Sequence, residues 1–264
     1  MVESRQIEPV RLFDARCRLH TVAGEKTSTL VGVDAEAGAP TAVVLSDGPS
    51  NPDHLVQQLA ERPGIAATAG VTPAQAAALS DKSLHEQLAR LEKRLADGGW
   101  CGVGPTGLDF EVAQSTSARR RQKRALDVQI AFSDQFGLPV TLVGRGAYNS
   151  LLKMMRQVGR LPEGGVVHDF DGSPRQIGPL LMVGVDISFG PALFGADGRR
   201  VGEAVVQMPE DRILVETNFA GQGADPGDYE GPGGMVEKIA VLRGEPVDQI
   251  AATTVENGRR RFGV

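Results

Sequence analysis

Short apolar runs alternate with longer amphipathic segments along almost the whole chain, and this alternation limits the fold more than any other feature. Strand patterns fall at Val10–Leu19, Ala39–Leu45, Ile65–Val71, Trp100–Gly104, Val140–Val143, Val166–His168, Gly184–Phe189 and Ile213–Glu216. Helical spacing predicts helices over Asp53–Arg62, from Pro73 through the Leu84/Leu88/Leu91/Leu95 stripe, and over Ser117–Phe136, Tyr148–Val158 and Ile177–Leu181. Two more close the chain, from about Gly234 to Arg243 and from Val247 to Phe262. Strands separated by crossover helices run parallel. Eight strand candidates without a two-layer break predict a closed (β/α)8 barrel in one domain over residues 1–264, a length typical of that fold. Gly221–Gly234 is rich in Gly, Pro and Asp and reads as a long loop on the active face.

Composition removes several function classes. A net charge of −5 argues against an overall polybasic nucleic-acid binder. The basic run Arg119-Arg120-Arg121-Gln122-Lys123-Arg124 has no interleaved aromatic residue and reads as a solvated helix face. Cations in a first helical turn oppose the helix dipole by about 0.3–1 kcal/mol. Cys17 and Cys101 sit inside apolar strand patterns, which fits a reduced, cytoplasmic protein rather than a disulfide scaffold. No run of about 18 apolar residues is present, so no membrane span is expected. Gly102-Val103-Gly104 followed by Pro105 is a poor match to a phosphate-cradling Gly loop.

The stretch Gly165-Val166-Val167-His168-Asp169-Phe170-Asp171-Gly172 places a histidine at the C-terminal tip of a buried strand, where barrel enzymes keep their chemistry. Other landmarks surround it: Phe13-Asp14-Ala15, Ala69-Gly70-Val71 before Pro73, Gly107-Leu108-Asp109-Phe110, Leu138-Pro139-Val140 with Arg145, Ile213-Leu214-Val215-Glu216-Thr217, and a tail with Thr254, Asn257, Phe262 and Gly263. In this order and spacing the chain resembles the TatD-like metal-dependent hydrolases, (β/α)8 phosphodiesterases and deoxyribonucleases of the amidohydrolase group.

The resemblance implies two divalent ions held by two histidines at i and i+2 on the first strand, a glutamate, two further histidines and an aspartate. Residues i and i+2 of a strand share a face, which would bring both rings to the axis. In this chain those positions hold Arg16, Arg18, Pro105, Val143, His168 and Asn218, so only His168 keeps a ligand. Arginine has no lone pair to give and repels a cation. Val143 and Pro105 offer nothing, and Asn218 offers a neutral amide oxygen. His20, His54 and His85 match no ligand pattern.

The expectation is therefore a protein without a cofactor, a pseudoenzyme with a binding, regulatory or structural role. Arg16, Arg18, Arg145, His168 and Asn218 would form an anion pocket for a phosphate or nucleotide-like ligand. In the alternative the arginines pair with Asp14, Asp109, Asp169, Asp171 or Glu216, because clustered positive charge is costly without a partner. A second function is a phosphoric-ester hydrolase or deoxyribonuclease using one divalent metal or a non-standard site. His168, Asp109 and Glu216 are its catalytic candidates, and nucleic acid is a partner only in that case. Protein partners stay open, because the surface helices carry no outstanding apolar stripe.

Overall fold

The computed structural model describes residues 12–17, 42–47, 65–218 and 232–264. Arg18, His20, His54, the helix expected over 53–62 and most of the loop expected over 221–234 lie outside the described residues. Eight parallel strands follow one another in sequence order: β1 Phe13–Cys17, β2 Ala42–Asp47, β3 Ile65–Ala69, β4 Gly102–Gly107, β5 Val140–Val143, β6 Gly165–Val167, β7 Val185–Phe189 and β8 Ile213–Val215. The described helices between and after them are α1 Pro73–Ala78, α2 Asp81–Ala96, α3 Thr116–Phe136, α4 Tyr148–Val158, α5 Pro174–Met182, α6 Gly198–Gln207, α7 Gly233–Arg243 and α8 Val247–Phe262.

The ring closes where the chain leaves β8. Asn218 N donates to the Arg16 carbonyl at 3.0 Å, and Thr217 N and Oγ1 donate to the Asp14 carboxylate at 3.0 and 2.6 Å. β8 is thereby tied to β1, and the (β/α)8 barrel expected from the alternation is the architecture found.

Local chemistry explains the boundaries. Ser115 starts α3 by accepting from Ala118 N, and Gly137 stops it in the left-handed conformation, φ 64°. Thr72 and Gln75 form a reciprocal cap at α1. The leucines read as a stripe on α2, Leu84, Leu88, Leu91 and Leu95, are all buried. The main core fills the space between β5–β8 and helices α4–α8, with Leu142, Leu151, Phe170 and Phe189 fully buried.

Three elements depart from the sequence reading. The one helix expected from Pro73 through the leucine stripe is two, α1 and α2, parted at Leu79 and Ser80, where the Ser80 side chain caps α2 by accepting from Ser83 N. α6 is absent from the sequence-derived helices although Val201, Ala204 and Val205 form a buried stripe; Gly198 and Gly202 mask it, because glycine weakens a helical pattern. Gly202 has a packing reason: a Cβ there would meet the Leu242 side chain of α7 at 3.3 Å. β4 also runs on to Gly107 through a cis Gly104–Pro105 bond, where the sequence suggested a strand ending at Gly104.

Candidate functional site at the barrel mouth

The C-terminal ends of β6 and β8 bring His168, Asp169, Glu216 and Asn218 to the barrel mouth, where Asp14 of β1 meets the chain leaving β8. His168 N donates to the Leu142 carbonyl at 2.8 Å, extending the β6–β5 pairing by one residue and fixing the ring at the strand tip. Glu216 N does the same to Phe189 O at 3.0 Å, directly after β8. Two backbone turns then follow in the left-handed region, Asp169 at φ 43° and Asn218 at φ 48°. Asp and Asn are among the few residues with side chains that visit this region readily.

His168 and Glu216 form the centre. Nδ1 of His168 lies 2.7 Å from Oε2 of Glu216, with side-chain exposures of 1 % and 0 %. Burial pushes the imidazole below its usual pKa and the nearby Arg16 charge pushes the same way, against the opposing pull of Glu216 and Asp169. Burial alone would raise Glu216. Contact with His168, the Arg16 charge and the Ser188 hydroxyl outweigh it and hold the carboxyl below its usual range. The pair is a neutral imidazole donating from Nδ1 to a carboxylate. Gly190 makes room for it, since a Cβ there would lie 2.9 Å from Glu216 Cγ and 3.1 Å from Asp169 Oδ1.

Asp169 is a second hub. Its Oδ2 accepts from Arg145 Nη2 at 2.5 Å and from Asn218 Nδ2 at 3.4 Å, while Oδ1 accepts from Ala192 N at 3.0 Å. Asp14, fully buried, also accepts from Arg16 N at 3.1 Å. For Arg145, the internal pairing expected of the arginines is the arrangement found.

Other expected site residues stand elsewhere. Asp109 spends its Oδ1 on capping its own turn, accepting from Glu111 N and Val112 N, while its backbone is clasped by Gln122 of α3. None of these contacts reaches His168 or Glu216, so Asp109 is not joined to the cluster. Val143 ends β5, and its carbonyl accepts from Leu108 N at 2.9 Å. Pro105 lies within β4, in the cis bond. The sequence reading did not pair Asp169 with Arg145 specifically; the aspartate directly after the histidine was the available signal.

An α/β barrel with a buried acid–base cluster at the C-terminal strand ends is the class that fold and site define. The family description "TatD related DNase" matches residues 13–263, and the chain belongs to that family. It is 26 % identical over 264 residues to the metal-dependent hydrolase YjjV of Escherichia coli K12, covering 96 % of this chain and 98 % of that protein. It is 29 % identical over 208 residues to the 3'-5' ssDNA/RNA exonuclease TatD of Erwinia amylovora, covering 75 % and 78 %. The crystal structure of the YjjV TatD homologue superposes with a TM-score of 0.79 over 97 % of this chain and 99 % of that one.

These relatives correct one expectation. YjjV, YcfH of Escherichia coli and YabD of Bacillus subtilis are named metal-dependent hydrolases, so the cofactor to which membership points is a divalent metal, not none. The described donors fit such an ion only in part. An imidazole fastened through Nδ1 to a carboxylate is how metal-binding histidines are usually oriented, and His168 has that fastening. Beyond it, no three His, Cys, Asp or Glu groups among the described residues converge as an ion would need, and Asp169 is committed to Arg145. Among the described residues, no helix is long and apolar enough to cross a membrane.

Proposed function

We propose that this TatD-family barrel acts by binding, as a regulatory or structural subunit with little or no hydrolytic turnover. The observation that supports this is a mouth whose groups are committed to one another: His168 hydrogen-bonded to Glu216, Asp169 paired with Arg145, Thr217 hydrogen-bonded to Asp14. A two-ion hydrolase instead leaves clustered carboxylates and neutral imidazoles open to the ions. At the family's ligand positions Arg16, Val143 and Asn218 offer no carboxylate or imidazole. The test is turnover of a generic phosphodiester, bis-p-nitrophenyl phosphate, by protein dialysed against Zn, Mn and Mg in turn. A rate at background in all three is expected. Metal-stimulated hydrolysis that disappears in His168→Ala would sink the proposal.

One observation favours a second reading, a phosphoric-ester hydrolase using one divalent ion. The carboxylate-oriented His168 is the ligand such an ion would take, with Arg145, 37 % exposed, left to meet the phosphate. The same assay separates the two, because only this reading couples turnover to bound metal and to His168.

A further inference from the structure

The outer flank of the barrel carries a groove of about 510 Å³ between α6, α7 and the 3-10 turn Pro191–Phe194 that leads into α6. Its floor is apolar. Gly198, Gly202 and Val206 fall four residues apart along α6 and so share one face, and Leu242 of α7 walls the other side. Phe194 is 57 % exposed at one end of the groove and Val206 is 55 % exposed at the other. Large apolar side chains left in water along one groove mark a surface that another molecule covers.

The charges on the groove say what covers it. Arg199 and Glu203 stand one turn apart on the same face of α6, with their side chains 90 % and 52 % exposed. Lys238 of α7 is the third charge, and its long stem can carry the ammonium out to solvent. A two-fold axis sets one residue of a copy against a second residue of the other copy, and repeats the same contact in reverse. Along the chain, Arg199 and Glu203 are centred on Val201, and Phe194 and Val206 are centred on Arg200. One axis crossing α6 there places Arg199 opposite Glu203 and Phe194 opposite Val206 at the same time. Arg200 does not crowd that axis, because it turns to the other flank of α6, held by Asp197 at 3.1 Å and the Asp171 carbonyl at 2.7 Å. The charged pair and the apolar pair thus ask for the same symmetry, and a surface shaped for an unrelated partner has no reason to show it.

We propose that this groove is the interface of a homodimer, with a second copy of this chain seated antiparallel along α6 and the Arg199–Glu203 and Phe194–Val206 contacts each formed twice across the axis. None of these residues belongs to the mouth cluster, so the interface holds whether or not the barrel hydrolyses anything. Sedimentation velocity on the full chain across the micromolar range tests it, and a concentration-dependent dimer is expected. Phe194→Asp places a charge at an exposed position and should leave a folded monomer. Arg199→Glu and Glu203→Arg should each weaken the dimer about tenfold or more, because like charges then meet across the axis. The combined swap, Arg199→Glu with Glu203→Arg, restores opposite charges and should restore the dimer. Truncating either residue to alanine removes only a screened contact at the rim and is the weaker probe.

Unchanged circular dichroism of each variant shows that assembly rather than folding has been altered. A chain that stays monomeric throughout would overturn the interface. So would a dimer that survives Phe194→Asp, or single reversals that the combined swap does not rescue, the pattern expected if a different protein occupies the groove. None of these outcomes bears on the phosphodiester assay, so the two proposals fail separately.

Discussion

The two ends of the barrel solve the same problem, a buried carboxylate, in opposite ways. At the N-terminal end Asp186 of β7 is fully buried and surrounded by three guanidinium groups. Arg212 Nε bonds to its Oδ1, Arg261 lies at 2.7 Å and Arg260 at 3.8 Å from Oδ2. Positive charge is in excess there, and the Arg261 pKa falls through burial and the repulsion of Arg212 and Arg260, despite Asp186. Arg261 also reaches the carbonyls of Glu163 and Gly184. The cluster fastens the end of α8 to β7 and to the β8 entry. At the C-terminal end the carboxylates are satisfied by a neutral imidazole, hydroxyls, backbone N–H groups and the partly exposed Arg145, with the Arg16 charge acting on Glu216. One end is built for cohesion. The other holds its groups with fewer charges and more directional bonds, as a site must when its geometry rather than its strength matters.

Breaking the cohesive end should cost the most. Asp186→Ala leaves two or three partly buried guanidinium groups without their anion, and a loss of about 3–5 kcal/mol is expected in chemical denaturation. An equal or smaller loss than for Glu216→Gln would erase the contrast. Glu216→Gln keeps the shape and a hydrogen-bonding oxygen beside His168 but removes the charge, so about 1–3 kcal/mol is expected from the same measurement. Gly190→Ala should cost about 1–3 kcal/mol through crowding, because Glu216 and Asp169 must move aside. Its readout is a change in the His168 ring chemical shifts with the barrel otherwise intact.

Acid should act on the mouth through both partners with one sign. The folded pKa of His168 and of Glu216 are each depressed, so the unfolded chain takes up protons first as pH falls. Stability from His168 should decline below about pH 6.5 and that from Glu216 below about pH 4.3, the unfolded values. Denaturation midpoints at pH 7, 6 and 5 test this. A His168→Gln variant should flatten the first decline, and an unchanged slope would show that the histidine is not its source. The smallest effect belongs to the surface: Arg199→Ala removes an exposed pair with Glu203 and should shift stability by less than about 1 kcal/mol.

Much of this was legible in the sequence because it rests on local patterns. β-strand and helix order follow from apolar periodicity, and α3 was bounded correctly by its Gly137 stop. His168 at the tip of β6 was readable for the same reason. What the sequence did not disclose depends on which loop meets which. Asp109 and Asp169 look alike as acidic residues after a strand, yet Asp109 turns back to cap its own loop while Asp169, in a left-handed turn, reaches Arg145 and Ala192. The groove walled by α6 and α7 needs two helices laid side by side and has no sequence signature. The three arginines on Asp186 come from the β8 entry and the end of α8, and look like ordinary surface charges until the barrel curls.

The bonds that tie Thr217 to Asp14 span 203 residues. At roughly 5–20 residues per second, a ribosome needs about 10–40 s to deliver the second partner after the first. Through that interval the first strand carries a carboxylate whose place in the interior is not yet made. The early part of the nascent chain must therefore wait, partly assembled, for its final turn of synthesis, and any factor that shelters nascent chains would meet this protein with β1 still open.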